Sequence, residues 1–300
     1  MRYRRCGNSG LFLPEISLGF WHNFGAGADD GTCRQIVAYA FDKGVTYFDL
    51  ANNYGPPNGF AEERFGAIFD RDLRPHRDEI LVASKAGHQM WPGPYGEWGS
   101  RKSLMASIDQ SLRRLRMDYV DIFYSHRPDP ETPLEETMQA LVDIVRSGKA
   151  LYAGISKYPP EMAARAYSYL REQHCPCLVY QGKYSMLVRD PEKEILPQAA
   201  AAGVGFVAFS PLAQGLLSDR YLNGIPKDSR MMKSTFLKPE TLTPELLEQL
   251  KQWNGTAGSE GLTLAQYALK WILRRQEVAS VIVGASSVAQ LSSNLELFDL

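Results

Sequence analysis

The sequence predicts a closed (β/α)8 barrel of the TIM-barrel class, with an N-terminal β-hairpin and a long excursion after the seventh strand. Three observations carry that prediction. Eight short apolar runs alternate with eight amphipathic helical patterns, the signature of parallel strands joined by right-handed crossovers, and eight is the number that closes. A length of 300 residues suits one barrel, which commonly takes about 250. The rival, a doubly wound open sheet, usually announces a dinucleotide site with G-x-G-x-x-G after its first strand. The nearest stretch here, Gly25-Ala26-Gly27-Ala28-Asp29-Asp30-Gly31, misses the third glycine by one place and does not directly follow a strand. No linker or low-complexity segment divides the chain, so residues 1–300 are expected to form one domain.

In chain order, "MRYRRCGNSGLFLPEISLGFW" places the turn residues Gly7-Asn8-Ser9-Gly10 between two short extended runs, which is a hairpin signal. Strands are expected at Ile16–Gly19, Val45–Asp49, Ile80–Ser84, Val120–Tyr124, Leu151–Ile155, Leu178–Gln181, Val204–Phe209 and Ser280–Val283, each a short apolar run between turn signals. Helical spacing of apolar residues recurs over 32–43, 62–69, 103–116, 134–147, 160–172, 192–202 and 263–275, and a last helix starts near 288. The stretch 212–262 is too long for an ordinary barrel connection. It is expected to run over one barrel face as a functional loop.

Composition narrows the partners. With 44% hydrophobic and 22% charged residues the chain can bury a large core, and a net charge of −1 supplies no field for nucleic acid or an anionic membrane. The cluster Arg113-Arg114-Leu115-Arg116 reads as a solvated helix end. The N-terminus has charges with no apolar core after them, so no signal peptide is expected. The longest apolar run, 199–209, falls short of the ~20 residues that span a bilayer. Cys6, Cys33, Cys175 and Cys177 lack zinc spacing, and Asn254-Gly255-Thr256 is a chance sequon. The expectation is a cytoplasmic chain in a reducing compartment, without metal, nucleic-acid or membrane partners.

A barrel of this class places its chemistry at the C-terminal ends of its strands. The second strand ends on Asp49, with Tyr54 in the following loop; the third, "ILVASK", ends on Lys85; the fourth, "VDIFYSHR", ends on His126-Arg127. Each alone has an ordinary role as cap, packing residue or satisfied core group. Together, four ionisable groups at three consecutive strand ends share one narrow rim. A tyrosine titrates near ~10 and needs help to exchange a proton with a developing alkoxide. A lysine ammonium about 4 Å away contributes roughly 4 kcal/mol at an effective dielectric near 20, about three pKa units toward the phenolate. Asp49 would keep that lysine charged and aimed, and His126 could bind the substrate carbonyl or complete a proton relay. The set lacks a nucleophile–base pair, so it suits carbonyl reduction by an external hydride.

The motifs "FDLANNYG", "ASKAG", "DIFYSHRPD" and "FSPLAQGLL" resemble the aldo-keto reductases over nearly the whole chain, in the branch holding the glyceraldehyde-3-phosphate reductases and the potassium-channel β subunits. "SLGFWHNFG", "MWPGPYG" and "YLNGIP" are similar to the reductase side of that branch. The resemblance implies Asp49, Tyr54, Lys85 and His126 as the catalytic set with Tyr54 as general acid, and NADPH as hydride donor. It implies Ser156 and Gln181 at the nicotinamide amide, Phe209 on the nicotinamide ring, and Gly19, Trp21 and Gly284 in the same cofactor set. Ser210, Pro211, Leu212, Gln214, Gly215, Leu216 and Ser218 would follow the pyrophosphate. Ser286, Gln290 and Asn294 fall at i, i+4 and i+8 on one face of the last helix, near an N-terminus that favours anions. Relatives often carry arginine at the place of Ser287 and glutamate at that of Ser293. Their absence shifts the expected charge for the NADP 2′-phosphate to Arg220 and Arg230. Trp21, Trp91, Tyr95 and Arg127 are the substrate-side candidates, Arg127 either for a substrate phosphate or, alternatively, paired with Asp129 or capping the loop. The partner implied is a small aldehyde. The alternative is a cofactor-binding regulatory subunit, and the oligomeric state is left open, a homo-oligomer included.

Overall fold

The computed structural model describes residues 1–226, 229–233 and 237–298, with the side chains of Arg230 and Lys233 outside the description. An antiparallel hairpin, β1 (Tyr3–Arg5) and β2 (Phe12–Pro14), comes first. Strand β3 (Ile16–Gly19) leads to α1 (Asp30–Asp42), β4 (Tyr47–Asp49) to α2 (Phe60–Ile68), and β5 (Leu81–Ala86) to α3 (Arg101–Leu115). Then β6 (Val120–Ser125) leads to α4 (Leu134–Arg146), β7 (Ala150–Ser156) to α5 (Pro160–Glu172), and β8 (Val179–Lys183) to α6 (Ile195–Ala202). After β9 (Gly205–Phe209) comes an excursion with α7 (Arg230–Lys233) and α8 (Pro244–Ser259), before α9 (Leu264–Leu273). Last are β10 (Val278–Val283) and α10 (Val288–Leu295). Strands β3 to β10 pair in parallel and close with β10 against β3, the predicted eight-stranded barrel.

Period-two alternation sorts the strand residues between two apolar layers. Phe48, Val82, Phe123 and Ala208 face outward into the layer between barrel and helices. Tyr47, Ala83, Ile122, Tyr124, Val179 and Val207 face inward and fill the lumen. The hairpin closes the lumen from below, where fully buried Cys6 and Leu13 join the inward layer. Arg4 fastens it there: its guanidinium pairs with Glu15 and donates to the carbonyls of Leu273, Arg275 and Val278 around the barrel floor. Gly7 permits the close approach, with φ +54° and a position where a Cβ would lie 2.2 Å from the Gly203 carbonyl oxygen.

Two expectations need correction. Strand β4 is shorter than predicted, starting at Tyr47, and β5 runs on to Ala86, so Lys85 sits inside a strand opposite Tyr124. The 212–262 excursion is not loop throughout. Thr243 caps α8 by accepting from Leu246 N (3.2 Å), Pro244 pre-sets its first turn, and Leu250 and Ala257 bury against Leu217, Leu264 and Tyr267. Among the described residues no helix is long and apolar enough to cross a membrane.

Candidate active site

Continuing the inward parity by one step at each strand end builds the site. Asp49 stands above Tyr47, Lys85 above Ala83, His126 above Tyr124, Gln181 above Val179 and Phe209 above Val207. Tyr54 enters from the loop after β4, which lies between Asp49 and α2.

Lys85 is fully buried and its ammonium has three partners at hydrogen-bond range: Asp49 Oδ2 (2.7 Å), the Leu50 carbonyl oxygen (2.6 Å) and the Tyr54 hydroxyl (3.4 Å). An ammonium has three donors, so the set is complete. Because Lys85 donates to the phenol oxygen, the Tyr54 proton is left to point elsewhere. Asp49, 2% exposed, is itself held through Oδ1 by Gln181 Nε2 (2.8 Å) and the Tyr47 hydroxyl (3.4 Å). His126 stands edge-to-face with Tyr54 at 5.9 Å between ring centroids, and its Nδ1 is buried with no partner among the described residues.

The protonation states differ from the sequence expectation at one point. Burial, then the Asp49 carboxylate, raise Tyr54 well above an ordinary phenol. The expected pull of Lys85 toward the phenolate is outweighed, because removing a phenolate from water costs more than one neighbouring ammonium returns. Burial lowers Lys85, and Asp49 and Glu62 oppose that shift. Burial, followed by Lys157 and Lys85, drives His126 well below its usual value, so it is neutral near pH 7. The site therefore holds a protonated phenol beside a neutral imidazole.

These groups open on a cavity of about 950 Å³, at the upper end of the ~300–1,000 Å³ typical of small-molecule sites. Gly19 lines it from the end of β3 and Trp21 from the loop that follows, and Gln181 and Phe209 line it from β8 and β9. The loop after β9 contributes Ser210, Pro211, Leu212, Gln214, Gly215, Ser218 and Arg220. Gly284, Ser286, Gln290 and Asn294 close the far end. In the β9 loop Ser210, Ala213 and Gln214 adopt φ of 54°, 47° and 61°, left-handed conformations that cluster at ligand clamps. Ser156 lies fully buried beside Gln181 in register, and its Oγ has no partner among the described residues; Asn294 Nδ2 is likewise orphaned at 4% exposure. Unsatisfied polar atoms on the lining residues His126 and Asn294, and on Ser156 beside the lining residue Gln181, suit a bound dinucleotide. Leu216 departs from the expected set, since it is a core residue against Tyr221, Met231 and Leu237. The Arg230 side chain lies outside the described residues.

The substrate-side candidates divide. Trp21 faces the cavity, whereas Trp91, Tyr95 and Arg127 are not among its lining residues. Tyr95 is 53% exposed, beneath Lys102. Arg127 pairs with Glu97 rather than Asp129, donates to the Gly87 carbonyl oxygen (3.0 Å), and stacks over Trp98 at 3.7 Å. The sequence reading missed His88, Lys157, Asn23 and Lys183, all on the cavity wall. A signal existed for two of them: Lys157 directly follows Ser156, and His88 lies three residues past Lys85.

Fold and site together define a barrel enzyme built for carbonyl chemistry, with a protonated phenol and a neutral imidazole at the mouth of a dinucleotide-sized cavity. The chain belongs to the aldo/keto reductase family, whose model matches residues 15–300. It is 52% identical over 301 residues to the L-glyceraldehyde 3-phosphate reductase of Escherichia coli strain K12, covering 99% of this chain and 87% of that protein. It is 36% identical over 307 residues to a probable voltage-gated potassium channel subunit beta of Arabidopsis thaliana, covering 100% of this chain and 92% of that protein. A probable subunit of the same kind from Oryza sativa subsp. japonica is 35% identical over 307 residues, with the same coverage. Membership in this family makes the chain an oxidoreductase.

Proposed function

We propose that this protein reduces small aldehydes to alcohols with NADPH, using Tyr54 as general acid, and that phosphorylated three-carbon aldehydes and methylglyoxal-like dicarbonyls are among its substrates. One observation carries the reading: a buried, charge-paired Lys85 donates to the Tyr54 oxygen, so the phenol proton is free to face the cavity. Bound NADPH would supply a hydride to the carbonyl carbon. The chain's own residues do the rest. His126, neutral, donates one N–H to the carbonyl oxygen and orients it. Tyr54 transfers its proton as negative charge develops on that oxygen, and Lys85 with its partner Asp49 stabilises the phenolate left behind. Ser156 and Gln181 would hold the nicotinamide amide and Phe209 its ring. The loop from Ser210 to Ser218 would take the pyrophosphate, and Arg220 is suited to the 2′-phosphate, which favours NADPH over NADH. The phosphorylated substrate class rests on the name of the 52%-identical relative. Four free, buried cysteines suit a reducing, cytoplasmic setting.

Oxidation of NADPH and NADH against a panel of aldehydes tests the reading. Tyr54→Phe keeps the ring and removes the donor, so reduction should fall by at least ~100-fold while NADPH affinity stays level. Wild-type turnover in that variant would remove Tyr54 from the chemistry. A second reading, a cofactor-binding regulatory subunit, is favoured by the channel-subunit relatives at 36% and 35% identity. It would gain if no aldehyde were turned over while NADPH still bound.

A further inference from the structure

Beside the catalytic groups lies a second constellation that the mechanism above leaves unused. Lys157 Nζ is 3.5 Å from His88 Nε2, and the His88 ring stands edge-to-face against His126 with centroids 4.5 Å apart. Lys157 also reaches over Phe209, with its Nζ 5.7 Å from the ring centroid. All four side chains line the same cavity. A continuous line of contacts thus runs from Tyr54 through His126 and His88 to Lys157.

The electrostatics of that line are one-sided. Among the described residues Lys157 forms no ion pair with a carboxylate, and the charged groups acting on it are Lys85 and Arg127, both cationic. Burial, helped by those two cations, lowers Lys157 to about 8; burial with Lys157 and Arg127 lowers His88 to about 4. Arg127, the residue the sequence offered for a phosphate, is neutralised by Glu97 and sits off the cavity wall. Lys157 has no such anion among the described residues. Its backbone is held at φ +63°, a left-handed conformation lysine rarely adopts, with its N–H donating to the Gln181 carbonyl oxygen (3.2 Å).

We propose that Lys157 and His88 form an anion-recognition subsite beside the catalytic groups, and that it takes the phosphate of a small phosphorylated aldehyde. This rests on the reductase reading, because the carbonyl must sit at Tyr54 and His126. In a three-carbon phosphorylated aldehyde the phosphate lies two carbons and an ester oxygen beyond the carbonyl, toward His88 and Lys157. The bound phosphate gives Lys157 the charge-assisted hydrogen bonds that no carboxylate among the described residues supplies. Lys157 is thereby a specificity residue and takes no part in the proton or hydride transfer.

The test compares glycerol 3-phosphate with glycerol as calorimetric ligands of the protein in saturating NADP+, for wild type, Lys157→Met and Lys157→Arg. Wild type should bind glycerol 3-phosphate at least about tenfold more tightly than glycerol. Lys157→Met should weaken glycerol 3-phosphate by about ten- to a hundredfold, and Lys157→Arg, which keeps the charge, should retain most of the affinity. The ratio of kcat/KM for glyceraldehyde 3-phosphate over that for glyceraldehyde should fall by a similar factor in Lys157→Met. Undiminished affinity for glycerol 3-phosphate in that variant, or a loss confined to NADPH affinity, would overturn the subsite. Binding that follows the expectation in a protein that reduces neither aldehyde would keep the subsite and overturn the reductase reading.

Discussion

Lys85 commits each of its three ammonium donors, to a carboxylate, a carbonyl and a phenol, and is fully buried while doing so. A buried charge is tolerated only while its partner is present. Asp49→Asn removes the counter-charge without changing the shape, so it should cost about 3–5 kcal/mol of stability by urea unfolding. Adding Lys85→Met removes the stranded charge and should recover part of that loss, a coupling that a double-mutant cycle reads directly. Additive losses would show that the pair does not interact. The double variant should be inactive, since the Tyr54 phenolate then loses the ammonium that stabilises it.

At the scale of elements, Glu192 ties the connection after β8 to the end of α9. It accepts from Arg189 through both oxygens (2.9 and 2.8 Å) and from the Tyr184 hydroxyl (2.9 Å), and pairs with Arg275 (2.9 Å). The Arg189 hydrogen bonds, with the Tyr184 hydroxyl, lower its carboxyl from 4.5 to about 2. A depressed carboxyl stabilises the fold above its unfolded pKa and loses that effect as pH falls through the folded one. Near the surface the contribution is about 1 kcal/mol after solvent screening. Glu192→Gln should therefore lower Tm at pH 7, and the gap to wild type should shrink from pH 4.5 toward 2; a constant gap would argue against the ion pairs. What the sequence revealed about these elements follows a pattern. Strands such as Val120–Tyr124 were legible because apolar runs between turns are local, and Asp49, Lys85 and His126 because they end such runs. Helix α8 was hidden: "PELLEQLKQWNGTAGS" buries only Leu250 and Ala257, and its two glycines, Gly255 and Gly258, are poor helix formers. The setting of Arg127 was illegible because its partner Glu97 lies 30 residues away, on a loop whose path no local pattern sets.

Across the whole molecule, the barrel separates two duties by end. Hairpin residues Arg4, Cys6 and Leu13 close the floor, and the cavity opens at the strands' C-terminal ends. Conservation of volume therefore matters at one end and placement of polar atoms at the other. Leu13→Ala should lower stability by about 2–5 kcal/mol through a cavity in the lumen. Its kcat at 25 °C should stay within about twofold of wild type, because Leu13 is not among the residues that line the cavity. A large kcat loss in a folded Leu13→Ala protein would mean that the floor and the site are coupled.

The alternation that stacks Asp49 on Tyr47 and Lys85 on Ala83 also limits how this chain can change in length. One residue inserted between Leu81 and Lys85 would turn Lys85 toward the helices and put its neighbour in the lumen. Such an insertion deletes the ammonium from the site without altering a single existing letter of the sequence. Substitutions at the strand ends can be sampled one at a time, whereas odd-numbered insertions and deletions upstream of them within a strand are closed off. The loop between β9 and α8 carries no such parity, so descendants of this chain should differ there in length and elsewhere mainly in spelling.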